Sequence, residues 1–364
     1  VKASREEARS AEARAREMGS YRLVARLGAG GMGEVWRAEH RLLARSAAIK
    51  LIRPEVLHDE ASIAEMKERF RREAQTLASM KSRHTIAIFD YGISEDGVFF
   101  YVMELLDGLD LESLVVQYGP QPAARVIALL EQACASLAEA HDAGLLHRDI
   151  KPPNLFVSRA ADEVDIVKLL DFGIVQMHDE PARARTPVQA IADTPRLTQL
   201  GAMLGTPGFM APEQILGMQL DGRADLYALG CCAWWLLTGK EVFSRDDGEA
   251  KLHHKHIYDE PAAVSSQAPK WVPPELDRVL AACLAKEPEG RPADARALAA
   301  QLRAIEIPAE HAWTKARAAA WWQSYQPATP VESVPSAEVQ VIVPGPTDQE
   351  QRAKAATILE VHRR

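Results

Sequence analysis

Between two strand-like stretches, Tyr21–Leu27 and Glu34–Ala38, sits Gly28-Ala29-Gly30-Gly31-Met32-Gly33, a G-x-G-x-x-G turn. Without Cβ atoms, such a turn lets backbone N–H groups approach a phosphate closely. A dinucleotide-binding fold needs a helix directly after these glycines. Here Glu34-Val35-Trp36-Arg37-Ala38 reads as a second strand instead. The chain is therefore constrained toward an antiparallel hairpin, and a glycine lid over ATP fits better than a dinucleotide site.

The 364 residues are enough for about two globular units. Apolar residues make up 47% and charged residues 26%, the balance of a soluble globular protein with a sizeable core. The net charge of −8 leaves no basic excess to attract a phosphate polymer, so nucleic acid is not an expected partner. The longest apolar run, Ala228–Leu237, covers ten positions, well short of the ~20 needed to cross a bilayer. No membrane span is expected within the chain. Val1–Arg16 alternates Ala with Arg and Glu and does not resemble a secretory signal, so the expected location is cytoplasmic. Cys134, Cys231, Cys232 and Cys283 have neither disulfide nor zinc spacing and read as core thiols.

Composition divides the chain into four parts. Residues 1–20 form a charged, helix-forming N-terminal extension. Residues 21–106 form a small lobe, with β-like runs up to Ile52, helical periodicity over 61–80, and strand-like segments at 85–91 and 98–104. Residues 107–306 form a larger, mainly helical lobe, with helical stretches at 123–143, 223–238, 274–286 and 293–305. Residues 307–364 read as linker and C-terminal tail, because Pro, Ser and Thr recur over 326–346. The fold class is α+β: a small antiparallel-sheet lobe with one helix, plus a larger helical lobe.

Two further patterns carry chemistry. Lys50 ends the run Ala47-Ala48-Ile49, where an inward lysine needs a partner. Glu73 supplies one by pattern, lying on the heptad stripe of Met66 and Met80, beside the stripe of Ile63, Phe70 and Leu77. His147-Arg148-Asp149-Ile150-Lys151-Pro152-Pro153-Asn154 then packs a base, two cations and an amide just after a helix ends. Asp171-Phe172-Gly173 follows, with Asp171 22 residues after Asp149. Asn154 and Asp171 offer hard oxygen donors suited to Mg²⁺.

In this order the elements resemble the protein kinase family, and in detail the eukaryotic-like serine/threonine kinases of bacteria. The match runs from Tyr21 to about Ile305 and includes Gly205-Thr206-Pro207-Gly208-Phe209-Met210-Ala211-Pro212-Glu213 and Arg291-Pro292. The resemblance implies the two-lobed protein kinase fold and transfer of the ATP γ-phosphoryl group to Ser or Thr hydroxyls of protein substrates. Leu27, Gly28, Ala29, Gly30, Gly31, Met32, Gly33 and Val35 would cover the nucleotide. Lys50, held by Glu73, would bind its α- and β-phosphates. Asp149 would orient the substrate hydroxyl and accept its proton, while Lys151 would neutralise the transferred group. Asn154 and Asp171 would hold Mg²⁺, with Mn²⁺ as the alternative ion. Met103 looks like the gatekeeper, Glu104 and Leu106 would offer backbone groups to adenine, and Ala48 and Leu155 would pack on its ring. Lys151 and Thr206 resemble the serine/threonine class, and Ala211-Pro212-Glu213 favours a protein substrate over a small molecule.

Arg148 before the catalytic Asp implies activation by a phosphate on the loop between Asp171 and Glu213. Thr198 is the first candidate for autophosphorylation, followed by Thr194 and Thr186, with a homodimer as the arrangement for phosphorylation in trans. Glu213 with Arg291 resembles a buried structural ion pair, and Asp225 resembles the residue that braces the catalytic loop. His253, His254 and His256 read as a solvated helix face. Trp313, Trp321 and Trp322 read as a helix packed back on the large lobe, with a partner-binding helix as the alternative. The rival class is a pseudokinase scaffold, whose usual mark is loss of Lys50, Asp149, Asn154 or Asp171; all four are present.

Overall fold

The computed structural model describes residues 17–30, 33–52, 60–94, 97–172, 206–246 and 248–327. The chain divides into two units, residues 1–328 and 329–364, and the second lies outside the described residues. The first six strands are β1 (Glu17–Met18), β2 (Tyr21–Gly30), β3 (Gly33–His40), β4 (Ser46–Ile52), β5 (Ile88–Ile93) and β6 (Phe99–Glu104). They form one antiparallel sheet in the order β1-β2-β3-β4-β6-β5. Period-two alternation gives the sheet two distinct faces. Ala47, Ile49, Leu51, Phe100 and Val102 fill a small apolar cluster on one face. Ala48, Ile52, Phe99, Tyr101 and Met103 join the main core on the other. Helix α1 (Glu60–Ser79) lies on that second face, with Phe70 packed edge-on against Phe99 and with Leu77 buried. Gly33 is required where β3 begins: its φ is +128°, and a Cβ there would collide with the Leu51 carbonyl oxygen.

The larger lobe begins with β7 (Asp107–Asp110), which pairs with the hairpin β8 (Leu155–Ala160) and β9 (Glu163–Leu169) in a three-stranded sheet. Its helices are α2 (Leu111–Tyr118), α3 (Ala123–Asp142), α4 (Pro212–Ile215), α5 (Gly222–Thr238), α6 (Glu249–Tyr258), α7 (Pro274–Cys283), α8 (Ala295–Arg303) and α9 (Lys315–Ser324). Side-chain caps start several of them: Asp110, Asp221, Asp294 and Thr314 each accept a backbone N–H from the first turn. Helix α5 is buried almost all round and centres the lobe. Cys134, Cys231, Cys232 and Cys283 are buried free thiols, and burial pushes Cys283 up to about 12. This is the α+β, two-lobed arrangement expected from the pattern.

Two sequence expectations are corrected here. The histidines of α6 do not form a solvated face, because helical spacing turns His253 and His256 inward with Leu252 and leaves only His254 exposed. The Tyr227 hydroxyl lies 2.9 Å from His256 Nδ1, and burial holds the ring neutral by pushing its pKa down to about 3. The second correction concerns the stretch after residue 307. Rather than leading straight into a linker, it forms α9, which buries Ala318 and Trp322 against the large lobe, and the Tyr325 hydroxyl donates to the Gly108 carbonyl at 2.8 Å. The packed helix is the one read from Trp313, Trp321 and Trp322, and only the linker boundary at 307 moves.

Candidate active site

The sheet register places residues from four strands in one row. Gly28 on β2 lies opposite Val35 on β3, Val35 opposite Lys50 on β4, and Lys50 opposite Tyr101 on β6. A second row pairs Ala48 with Met103. Directly opposed residues share a face, so Val35, Ala48, Lys50, Tyr101 and Met103 all look toward the larger lobe. Val35, Ala48, Met103, Leu106 and Leu155 belong to a single apolar cluster drawn from both lobes. Leu27 stays exposed, Gly28 and Ala29 lie in the hairpin, Gly30 and Gly33 pair at its tip, and Gly31 and Met32 lie outside the described residues. The Glu104 carboxylate is occupied locally, accepting from the Ala87 N–H at 2.9 Å and from Lys168 Nζ at 2.6 Å.

The loop after α3 is held by α5. Asp225 accepts the backbone N–H groups of His147 at 2.9 Å and Arg148 at 2.8 Å, and lies 2.8 Å from His141 Nε2. Burial alone would raise the Asp225 pKa, but these contacts outweigh it and hold the carboxyl below its ordinary value. The brace lets Arg148 occupy the left-handed region at φ +63°, a strained conformation for an arginine. His147 is buried, its Nε2 lies 2.7 Å from the Leu170 carbonyl, and its ring lies 4.7 Å from Phe172. Asp149 is thereby fixed. Lys151 Nζ lies 2.7 Å from its Oδ2, Asn154 Nδ2 donates to its carbonyl at 2.8 Å and to Oδ2 at 3.1 Å, and Thr206 Oγ1 approaches Oδ1 at 3.4 Å.

Asp171 sits across the cleft at φ +52°, another left-handed non-glycine residue. Lys50 Nζ lies 2.6 Å from Oδ2, and the Tyr101 hydroxyl donates to Oδ1 at 2.6 Å. Burial opposes ionisation of Asp171, yet the Lys50 charge and the two hydrogen bonds hold the carboxyl below its ordinary range. The Leu170 N–H donates to the Asn154 carbonyl at 2.8 Å and ties the two groups together. The asparagine's amide nitrogen is spent on Asp149, which leaves its Oδ1 for a cation. With the partly exposed Asp171 carboxylate it makes a small set of hard oxygen donors, which fits Mg²⁺.

Asp149, Lys151 and Asn154 therefore lie together, as do Lys50 and Asp171, and the Leu170–Asn154 hydrogen bond links the two groups. The Glu73 side chain, expected on Lys50, lies outside the described residues, and so do Thr186, Thr194 and Thr198. Among the described residues, the carboxylate on Lys50 is that of Asp171. Glu213 and Arg291 form the expected buried ion pair, with contacts of 2.6 and 2.8 Å. Sequence reasoning missed Tyr101 and Gln214, whose side-chain amide donates to the Arg148 carbonyl at 2.9 Å. Tyr101 carried a usable signal: it is polar-tipped, yet it falls at an inward position of the apolar run Val98–Met103.

The family model described as the protein kinase domain matches residues 21–302. The chain belongs to that family, the one its motifs resemble. It is 37% identical over 287 residues to the serine/threonine-protein kinase Pkn3 of Myxococcus xanthus, covering 79% of this chain and 50% of that protein. It is 39% identical over 275 residues to PknD of Mycobacterium tuberculosis, covering 76% and 38% respectively. A second Myxococcus xanthus protein, Pkn1, is 39% identical over 301 residues, covering 82% and 40%. The chain thus spans half or less of the length of these curated relatives. Family membership carries the use of ATP and a divalent cation. Among the described residues, no helix is long and apolar enough to cross a membrane.

Proposed function

We propose that this chain is a protein serine/threonine kinase, transferring the γ-phosphoryl group of ATP to hydroxyls of protein substrates in the cytoplasm. The observation that carries the reading is the grouping of Asp149 with Lys151 and Asn154 and of Lys50 with Asp171, linked by the Leu170–Asn154 backbone hydrogen bond. On this reading Asp149 orients the acceptor hydroxyl and takes its proton as the new O–P bond forms and the bond to the ADP oxygen breaks. Lys151 offsets charge on the transferring group, and Lys50 leaves Asp171 to bind the α- and β-phosphates, with Glu73 as its partner. Asn154 and Asp171 hold Mg²⁺, or Mn²⁺ in its place, which neutralises phosphate charge when bound. The glycine turn covers the phosphates, Met103 is the gatekeeper, Glu104 and Leu106 meet adenine through their backbone, and Leu27, Val35, Ala48 and Leu155 enclose its ring. Catalysis here is positioning and charge stabilisation, for which a braced loop is the structural requirement. Autophosphorylation at Thr198 or Thr194, between two copies in trans, supplies the charge that Arg148 meets.

The test is phosphate transfer by wild type and Asp149→Asn, with mass-spectrometric mapping of the modified residues. The variant should lose about 10²- to 10⁴-fold in turnover while keeping its fold and its affinity for nucleotide. Normal turnover in Asp149→Asn sinks the assignment. A wild type that binds nucleotide yet labels neither itself nor a protein substrate supports the scaffold reading instead.

A further inference from the structure

Tyr101 is a polar group beside Lys50 and Asp171 for which the proposed chemistry has no use. Strand alternation turns it inward between Phe99 and Met103, directly opposite Lys50, and its ring is buried. A phenol buried this deeply needs a hydrogen-bond partner, and the one it has is Oδ1 of Asp171 at 2.6 Å. Lys50 takes the other oxygen, Oδ2, at the same distance. Neighbouring strands therefore grip the two oxygens of a single carboxylate. That carboxylate also belongs to a residue in the left-handed region, a conformation that persists only where its surroundings hold it. The two contacts differ in permanence. Lys50 is wanted by nucleotide phosphates and leaves when they arrive, whereas Tyr101 is built into the sheet.

We propose that Tyr101 is a positioning residue for the metal-binding carboxylate: its hydroxyl fixes Oδ1 of Asp171 and so orients the lone pairs presented to a divalent cation. This rests on the reading of Asp171 as a metal ligand. Each carboxylate oxygen accepts about two hydrogen bonds or cation contacts, so the Tyr101 bond stops rotation of the group without closing it to a cation. Partners of this kind typically contribute about 10- to 100-fold in metal affinity.

The experiment titrates Mg²⁺ into the full chain saturated with ADP, so that no turnover occurs, and reads the midpoint by calorimetry. Tyr101→Phe removes only the hydroxyl and keeps the ring in the core. It should raise the Mg²⁺ midpoint by about tenfold and leave metal-free ADP affinity unchanged, a split that a purely structural role would not produce. If Tyr101→Phe does not fold, Tyr101→Met enters the same titration. A midpoint equal to that of wild type overturns the inference. So does a lower midpoint, because the hydroxyl would then be competing with the cation. Asp171→Asn separates the two levels: if it binds Mg²⁺ as wild type does, the metal-ligand reading itself fails. If it loses the metal while Tyr101→Phe matches wild type, only the positioning role fails.

Discussion

Asp165 and Asp171 lie six positions apart, one on β9 and one just past its end, and they put the same chemistry to opposite uses. Both occupy the left-handed region, at φ +56° and +52°. Asp165 is saturated: it accepts from Arg125 Nε and Nη2 at 3.1 and 2.6 Å, from the Trp313 indole at 2.6 Å and from the Trp322 indole at 2.7 Å. Arg125 is fully buried, its guanidinium 4.0 Å from the Trp321 ring centroid and 4.8 Å from that of Trp313, and its Nη1 donates to Gln121 at 2.9 Å. Among the described residues Asp171 has two partners, one of them a lysine that nucleotide phosphates also attract, and its side chain is 25% exposed against 10% for Asp165. A buried carboxylate with every lone pair spent can only hold the fold together. One left partly exposed with lone pairs to spare can meet a cation.

The comparison breaks most sharply on a matched pair of isosteric substitutions. Asp171→Asn should cost several kcal/mol of transition-state stabilisation, on the order of 10³-fold in phosphate transfer, with a smaller loss of stability than Asp165→Asn, because the Asp171 side chain is partly exposed although Lys50 loses its carboxylate. Asp165→Asn should do the reverse. Removing one partner of a buried ion pair strands the other charge, at a cost of about 3–5 kcal/mol, measurable by denaturant unfolding, while protein that remains folded keeps its turnover per molecule. An Asp165→Asn variant that is stable but inactive would show that the two carboxylates are not divided between stability and chemistry.

What the sequence disclosed follows the same division. The site was legible because its members lie in short runs: His147 to Asn154 span one loop, and Asp171-Phe172 follows one hairpin later. The strands β2, β3, β4 and β6 were legible through short apolar runs and strand-like composition, and α3, α5, α7 and α8 as helical stretches. Asp165 was not, because Ala161-Asp162-Glu163-Val164-Asp165 looks like an acidic surface turn. Its partners lie 40, 148 and 157 residues away, a separation that no local pattern reports. Helix α6 misled for a related reason. Three histidines in four positions suggest a polar face, and only the packing of α6 against α4 and the Pro207–Phe209 turn shows that two of them point inward. Tyr101 was overlooked because a tyrosine among Phe99, Phe100, Val102 and Met103 passes for one more core aromatic until Asp171 is placed beside its hydroxyl.

The smallest effect tests how completely Asp165 is saturated. Trp322→Phe keeps an aromatic ring in the α9 contact and removes one indole N–H from Asp165, so it isolates one of the four donors. A single hydrogen bond to a charged acceptor contributes about 1.5–3 kcal/mol, but three donors would remain, and water that enters to replace the fourth reduces the loss. The expected cost is therefore about 1 kcal/mol, read as a shift of the urea midpoint at unchanged slope. Activity and the Mg²⁺ midpoint should not move, because Asp165 lies on the far side of the division from Asp171. An undiminished urea midpoint would mean that Arg125 and the Trp313 indole already satisfy the carboxylate and that α9 is held by its ring contacts with Tyr118 and Arg125. A loss as large as that of Asp165→Asn would mean that the indole, rather than the ion pair, is what keeps Arg125 buried.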